Sequence, residues 1–156
     1  MLILIYLFPE VKLLKKINTI YIASDHAGFP LKELIIKDFL SKQSTKHKDL
    51  GTKSEDMVDY PEFAKKLCRK INSKSMGILI CGSGIGVSIT ANRHSHIRAS
   101  LCHNTKTAIM TRKHNDSNVL CLQGRPFVKK NIFAMLNAYF DTEFEAGRHL
   151  RRINKI

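Results

Sequence analysis

Short apolar runs alternate with helical periodicity along this sequence, and that alternation is the feature that most constrains the fold. Residues 77–81 form a continuous apolar run, as a strand buried on both faces requires. Further strand-like runs occur at residues 20–23, 97–102 and 118–122, and a weaker one occurs at residues 46–50. The pattern predicts a three-layer α/β/α, Rossmann-like fold with about five parallel strands.

Apolar residues at helical spacing separate these runs. They predict helices over residues 31–39, 63–71, 105–114 and 128–139, and a last helix over residues 143–153. No internal repeat or linker interrupts the pattern, so we expect residues 17–156 to form one domain. Residues 1–16 are assigned to an N-terminal extension. Its apolar stretch is far shorter than the roughly 20 residues that span a bilayer, and it lacks the flanks of a signal peptide, so we expect no membrane association.

Charge and cysteine usage limit the function classes. Lys and Arg number 26 against 13 Asp and Glu, a formal net charge of +13, which favours anionic partners such as small phosphates or nucleic acid. The 4 cysteines include no CxxC pair, which argues against a zinc ribbon or a thioredoxin-type site and indicates reduced thiols in a cytoplasmic protein. No His, Cys, Asp and Glu set has metal-site spacing, so we expect neither a metal nor another cofactor.

A glycine-rich loop follows the apolar run directly and begins a helix. Its sequence is Cys81-Gly82-Ser83-Gly84-Ile85-Gly86. The following residues lack the Lys of a Walker A loop, and Val87 stands where a dinucleotide fingerprint needs Gly or Ala and where a phosphatase loop needs Arg. Backbone N–H groups here could bind an anion and stabilise Cys81 as a thiolate base or nucleophile. Alternatively, Cys81 is simply the last residue of a buried strand.

Other candidate groups occur in loops and at helix ends. Asp25 and His26 follow the first strand and could move protons or bind hydroxyls, although an Asp there could equally cap the next helix. His114 and Asn115 could act as an acid and a hydroxyl ligand, or could simply end a helix. Arg148 and Arg152 share a helix face and could hold a phosphate together. The remaining histidines are interpreted as surface or turn residues: His47, His94, His96, His103 and His149.

As a set, these segments resemble the type B ribose-5-phosphate isomerases and the related galactose-6-phosphate isomerases. The resemblance covers about residues 18–152. It rests on segments in the same order at residues 22–29, 49–51, 59–61, 77–86, 91–93, 97–99, 112–119, 124–125 and 147–149. The sequence departs from the family pattern at Gln123 and at Ala146, which precedes Gly147 where a second glycine is usual.

The resemblance implies a metal-free aldose–ketose isomerase, with ribose 5-phosphate and ribulose 5-phosphate as the favoured pair and a hexose phosphate of the galactose 6-phosphate type as the alternative. It implies that Cys81 moves a proton between C1 and C2, and that His114, assisted by Asp25, opens the sugar ring. The implied substrate-binding positions are Asp25, His26, Gly82, Ser83, Gly84, Ile85, Gly86, Asn115, Arg125, Arg148 and Arg152, of which Ser83 also helps to shuttle a hydroxyl proton and His26, Arg148 and Arg152 bind the phosphate.

The resemblance also implies a homodimer or homotetramer in which His114, Asn115 and Arg125 reach into a neighbouring chain's site. The competing hypothesis is a basic nucleic-acid-binding module, motivated by the net charge of +13. It lacks support from any recognition-helix or stacking motif, because the basic residues are spread along the chain and Trp is absent. We therefore expect a phosphorylated sugar as the partner and no specific nucleic acid.

Overall fold

Five parallel strands form a single sheet in the computed structural model, which describes residues 16–156. The strand order is β2-β1-β3-β5-β4, and every neighbouring pair is parallel. The strands are β1 (Thr19–Ser24), β2 (Lys46–Asp49), β3 (Ser75–Cys81), β4 (Ala99–Leu101) and β5 (Val119–Gln123). With helices on both faces, this sheet confirms the predicted fold class.

Six α-helices within residues 16–156 connect and cover the strands. They are α1 (Phe29–Asp38), α2 (Tyr60–Cys68), α3 (Ile85–Ala91), α4 (Thr105–Asn115), α5 (Lys129–Asp141) and α6 (Arg148–Ile153), and a short 3₁₀ helix at Leu40–Lys42 follows α1. The prediction of a helix from residue 143 was wrong for its first five residues. Ala146 and Gly147 have φ values of 55° and 53°, outside the right-handed helical region, so α6 begins only at residue 148.

The central strand β3 is buried along its whole length, and its side chains alternate between two hydrophobic layers. Ile78 and Ile80 pack in the layer that also contains residues of α1 and α5. Leu79 and Cys81 point to the opposite layer, with residues of α2 and α3. This period of two places the Cys81 thiol on the α2–α3 side of the sheet.

Because all the strands are parallel, the sheet has two distinct edges. We call the edge where the strands end the carboxyl edge, and the edge where they begin the amino edge. The helices that connect the strands run back from the carboxyl edge to the amino edge, so the end of α4 lies at the amino edge. There Gly77 N donates to Asn118 O (2.9 Å), and Arg98 Nε donates to Asn115 O (2.9 Å).

A buried lysine links α1 to β2, the outermost strand on one side of the sheet. The Lys32 side chain is fully buried, and its Nζ donates to Asp49 Oδ2 (2.9 Å) and to Glu33 Oε1 (2.6 Å). Partial burial acts to raise the pKa of Asp49, but hydrogen bonds from Lys32, Lys53 and Gly51 N–H hold it below its ordinary value. Asp49 therefore stabilises the folded chain mainly as the ionised partner of Lys32.

We expect Asp49→Ala to lower the free energy of unfolding, because it removes one partner of a buried charge. Glu33 still contacts Lys32, so the loss should lie towards the lower end of the roughly 3–5 kcal/mol seen for broken buried pairs. The folded-state pKa lies below the unfolded value of about 3.9, so this stabilisation is present above pH ~4 and disappears as the pH falls further. Denaturant unfolding at pH 7 and at pH 3 measures both effects. Exposed Asp56→Ala is the control, and an equal loss there would contradict the assignment.

The described part of the chain has no helix long and apolar enough to cross a bilayer. The N-terminal extension assigned to residues 1–16 lies outside the described residues, apart from Lys16. Lys16 forms an exposed ion pair with Glu143 (2.5 Å) in the segment before α6. Exposed pairs of this kind contribute little to stability.

Candidate active site

Loops from three strands converge at the carboxyl edge. The loop after β1 is held to β3 by a hydrogen bond from Asp25 N to Ile80 O (3.2 Å). The loop after β5 is held to the glycine-rich loop by two bonds, from Gly124 N to Cys81 O (2.8 Å) and from Arg125 N to Gly82 O (3.0 Å). Backbone bonding therefore brings Asp25, Cys81 and Arg125 to one region of the surface.

Glycines allow the backbones of these loops to touch. A Cβ on Gly124 would lie 2.8 Å from Gly28 Cα and 3.0 Å from Cys81 O, and a Cβ on Gly28 would lie 2.7 Å from Ile80 O. Gly84 has a φ of +77°, and its Cβ would lie 2.9 Å from the Leu122 carbonyl. Such contacts leave no room for a side chain, so the floor of the candidate site is built of backbone.

Cys81 ends β3 directly below the glycine-rich loop. Its residue surface is only 4% exposed, and Gly84 N donates a hydrogen bond to its Sγ (3.1 Å). This contact places a backbone N–H and the start of α3 against the sulfur. Burial raises the pKa of the Cys68 and Cys102 thiols to about 11, and raises that of Cys121 as well.

Polar side chains surround the glycine-rich loop. Asp25 is buried, and its Oδ1 accepts from Gly28 N (2.9 Å), which fixes the carboxylate at the loop after β1. His26 is half-buried, and its Nδ1 lies 3.2 Å from both N and O of Val58. Ser83 is exposed, and its Oγ accepts from Ile85 N (3.2 Å). The contact of Asp25 with Gly28 orients the carboxylate and also satisfies a backbone donor near the start of α1.

Arg125 and Tyr60 border the same loop on its exposed side. The Arg125 guanidinium is half-exposed and lies 3.7 Å from Glu55 Oε2. The Tyr60 ring packs over Gly86, where a Cβ would lie 2.6 Å from the ring. The carboxyl edge thus combines a thiol, a carboxylate, an imidazole, a guanidinium and backbone N–H donors. Such a set can remove a proton from carbon and stabilise the negative charge that then develops on oxygen.

A second polar group lies at the amino edge, where α4 ends and α6 begins. The His114 and His149 rings stack in parallel, with centroids 4.1 Å apart and planes inclined by 8°. Nε2 of each ring lies 4.0 Å from Glu145 Oε2. Arg148 Nε donates a long hydrogen bond to His149 Nε2 (3.5 Å). We call His114, Glu145, Arg148 and His149 the amino-edge cluster.

Two partly buried ion pairs position this cluster. Asp116 follows α4 with a φ of 44°, and its carboxylate lies between Arg98 Nη2 (3.0 Å) and Arg112 Nη1 (2.9 Å). Arg112 is itself buried, and its guanidinium lies over the Tyr139 ring on α5. These contacts fix the turn that directly follows His114 and Asn115.

Two groups of the cluster have shifted pKa values. Burial lowers the pKa of His149, and the nearby His114, Arg148 and Arg152 lower it further. A hydrogen bond from Lys113, whose Nζ lies 3.0 Å from Oε1, lowers the pKa of Glu145. Near neutral pH the cluster therefore combines a neutral imidazole at His149 with an ionised carboxylate.

The residues singled out in the sequence thus fall into two groups within one chain. Asp25, His26, Cys81, residues 82–86 and Arg125 lie at the carboxyl edge. His114, Asn115, Arg148 and Arg152 lie at the amino edge. The length of the strands, about 15–20 Å at 3.3 Å per residue, separates the two edges, and an extended pentose phosphate is too short to bridge them.

Two expectations from the sequence concern residues that lie at opposite edges of one chain, and one interpretation is wrong. Arg125 was expected to reach a neighbouring chain's site together with His114 and Asn115, and its backbone is bonded to Gly82 at the edge opposite to theirs. His26 was expected to bind the phosphate with Arg148 and Arg152, which lie at the opposite edge of the same chain, so that expectation requires the neighbouring chain. His149 was interpreted as a surface or turn residue, but it is only 6% exposed and stacks on His114. Its position next to Arg148 was the one signal in the sequence that could have drawn attention to it.

Comparisons with known proteins agree with this fold and with the resemblance. The family model described as Ribose/Galactose Isomerase matches residues 20–156. A Rickettsia conorii protein, named provisionally as a sugar phosphate isomerase, is 46% identical over 143 residues, which cover 90% of this chain and 99% of that protein.

Solved structures of isomerases also match this chain over most of its length. A ribose 5-phosphate isomerase from Thermotoga maritima has a TM-score of 0.84 at 45% identity, and the match covers 88% of this chain and 95% of that one. Ribose-5-phosphate isomerase B from Mycoplasma genitalium, solved with bound ribulose-5-phosphate, has a TM-score of 0.83 at 38% identity, and the match covers 88% and 92% of the two chains. The chain described here therefore belongs to the ribose/galactose isomerase family of enzymes.

Proposed function

We propose that the protein interconverts ribose 5-phosphate and ribulose 5-phosphate through an enediolate, with Cys81 as the base. The observation that carries this proposal is the position of the Cys81 sulfur, which lies 3.1 Å from Gly84 N at the start of α3. A thiolate there is stabilised without a metal ion, and the same loop supplies donors for an oxyanion. The relatives' names support the choice of a pentose phosphate.

In the proposed reaction, the open-chain aldose binds with C1 and C2 over the glycine-rich loop. The Cys81 thiolate removes the proton from C2, and the electron pair moves towards O1. Backbone N–H groups of residues 82–86 stabilise the enediolate, at about 2.7–4 kcal/mol for each well-placed donor. Ser83 assists the transfer of the hydroxyl proton from O2 to O1, and Cys81 returns its proton to C1 to give the ketose.

Ring opening and phosphate binding use the residues of the amino edge. In the proposal, His114 protonates the ring oxygen while the Asp25 carboxylate accepts the proton of the C1 hydroxyl, so that the bond from C1 to the ring oxygen breaks and the aldehyde forms. Asn115 binds a substrate hydroxyl. Arg148 and Arg152 are exposed, four residues apart on α6, and hold the phosphate. The net charge of +13 accelerates the arrival of an anionic substrate.

The proposed site is shared between two copies of the chain, because a single copy carries the two groups of site residues at opposite edges of its sheet. A two-fold axis would bring the amino edge of each chain to the carboxyl edge of the other and form two equal sites. Ile85 and Ile89 support this arrangement, because α3 exposes 52% and 56% of these apolar residues beside the Cys81 loop. A homodimer is the smallest assembly that completes the site, and a tetramer would contain the same pair.

The proposed reaction uses neither a metal ion nor an organic cofactor, since a thiolate and backbone donors supply its base and its oxyanion stabilisation. It also fits a reducing compartment. All four cysteines are free, and persistent free thiols are typical of the cytoplasm. We therefore place the reaction in the cytoplasm.

An isomerase assay tests this function directly. Purified full-length chain is incubated with ribose 5-phosphate and, separately, with galactose 6-phosphate, each with and without excess EDTA. We expect turnover of the pentose phosphate that EDTA does not reduce, because no step uses a metal. Turnover of the hexose phosphate alone would replace the pentose assignment with the hexose alternative. Loss of pentose turnover in EDTA would contradict the mechanism.

A further inference from the structure

Beyond the proposed reaction, we propose that His114, Glu145 and His149 form a binding site for a divalent transition-metal ion such as Zn²⁺. One ligand atom from each residue can be chosen so that all three lie within 4.8 Å of one another, and Nε2 of each histidine lies 4.0 Å from Oε2 of the glutamate. Two imidazoles and one carboxylate form a common ligand set for zinc sites that keep an open position. A water molecule or an anion would complete a tetrahedron.

Shorter distances between the ligand atoms and a rotation of the two rings would convert the observed arrangement into a coordinated one. Zn–N and Zn–O bonds of about 2.0–2.2 Å place tetrahedral ligands about 3.3–3.5 Å apart. The Nε2-to-Oε2 distances of 4.0 Å would therefore shorten by less than about 1 Å. The stacked rings must also splay, so that their in-plane lone pairs converge on one point. His114 and Glu145 are half-exposed and have room to do so.

The electrostatics of the cluster leave these ligand atoms available. Lys113 pairs with Oε1 of Glu145, so Oε2 still faces the histidines. Arg148 Nε can only donate, so its contact with His149 Nε2 shows that this nitrogen presents a lone pair to the cluster. At 3.5 Å the Arg148 contact is weak and would be given up on coordination.

Occupation of this site would interfere with the proposed catalysis. The metal takes the Nε2 of His114, which would then be unable to transfer a proton during ring opening. Zn²⁺ would also hold Glu145 and α6 in place beside the phosphate-binding arginines. The ion is thus an inhibitor in this proposal and not a cofactor. The expected inhibition depends on the proposed function, whereas metal binding itself does not.

Calorimetric titration of the full chain with ZnCl₂ tests the site. The titration is made in a Cys81→Ser background, because a thiolate is itself a zinc ligand. We expect one Zn²⁺ per chain. Glu145→Gln should weaken the affinity by at least the roughly 10–100-fold that follows loss of a group supporting a ligand. His149→Asn should have a similar effect, and His94→Ala, which alters the separate His94–His96 pair, should leave the affinity unchanged.

Two results would overturn the site: no zinc binding by the Cys81→Ser chain, or binding that Glu145→Gln leaves intact. Glu145 is exposed, so this variant is expected to fold even if the buried His149→Asn does not. Isomerase activity with and without ZnCl₂, measured for the wild-type chain and for Glu145→Gln, separates this proposal from the previous one, because zinc bound to the Cys81 thiolate would inhibit both chains. Binding that requires Glu145 but leaves turnover unaffected would confirm the site and contradict the proposed role of His114.

Discussion

Replacement of Cys81 by alanine is expected to lower kcat by about 10²–10⁴-fold, the usual contribution of a positioned general base. The side chain ends a fully buried strand, and its sulfur accepts from the Gly84 N–H. Removing the sulfur deletes the base but leaves the backbone donors of the loop and the phosphate-binding residues. KM should therefore change much less than kcat. Steady-state kinetics with ribose 5-phosphate measure both constants.

Cys68→Ala is the matched control for this loss. Cys68 is also a free, buried cysteine in the same hydrophobic layer, but it lies on α2 and away from the glycine-rich loop. Its substitution should lower stability by a core-cavity effect and leave kcat near the wild-type value. Near-normal turnover by Cys81→Ala, or an equal loss in both variants, would remove the thiolate mechanism.

Mixing two inactive variants is expected to restore activity. Chains with Cys81→Ala keep an intact amino edge, and chains with His114→Ala keep an intact carboxyl edge. If the site is shared across a two-fold axis, about half of randomly assorted dimers are mixed and one site in each is complete, so about a quarter of wild-type activity returns. Co-expression with two affinity tags isolates the mixed dimer, whose specific activity should be about half that of wild type, because one of its two sites is complete.

The matching control mixes two variants damaged in the same half, Cys81→Ala with Cys81→Ser, which should recover nothing. A site contained within one chain predicts a different result for the main experiment. Every chain in that mixture carries one defect, so no complete site could form. Absence of recovery in verified mixed dimers would therefore contradict the shared site while leaving the role of Cys81 untouched.

The fold was predictable because its signals are local. The continuous apolar run of β3 indicated a strand covered on both faces, and its seven residues are all buried. The glycine-rich loop was equally visible, because alternate glycines after such a strand predict backbone N–H groups that an anion can approach. The close contacts of Gly84 and Gly124 with backbone atoms of neighbouring loops were not predicted, because they depend on how the loops pack together.

The division of the candidate residues between two edges was also contained in the topology. In a parallel sheet a helix ends at the edge opposite to the strand ends, so His114 at the end of α4 could not accompany Cys81 in one chain. The environment of His149 could not be predicted in the same way. Its burial depends on α6 packing against α4 after a turn in which Ala146 and Gly147 have positive φ, and no periodicity in the sequence reports that long-range contact.

The backbone floor of the carboxyl edge restricts how this enzyme can diversify. Where Gly28 and Gly124 touch, a new side chain would separate the loops instead of reshaping the cavity. Adaptation to longer or shorter sugars must therefore come from the exposed side of the site, where the side chains of Tyr60 and Arg125 can be exchanged without moving the main chain. Reaction chemistry and substrate choice are thereby encoded in separate parts of the sequence, and one can evolve while the other is conserved.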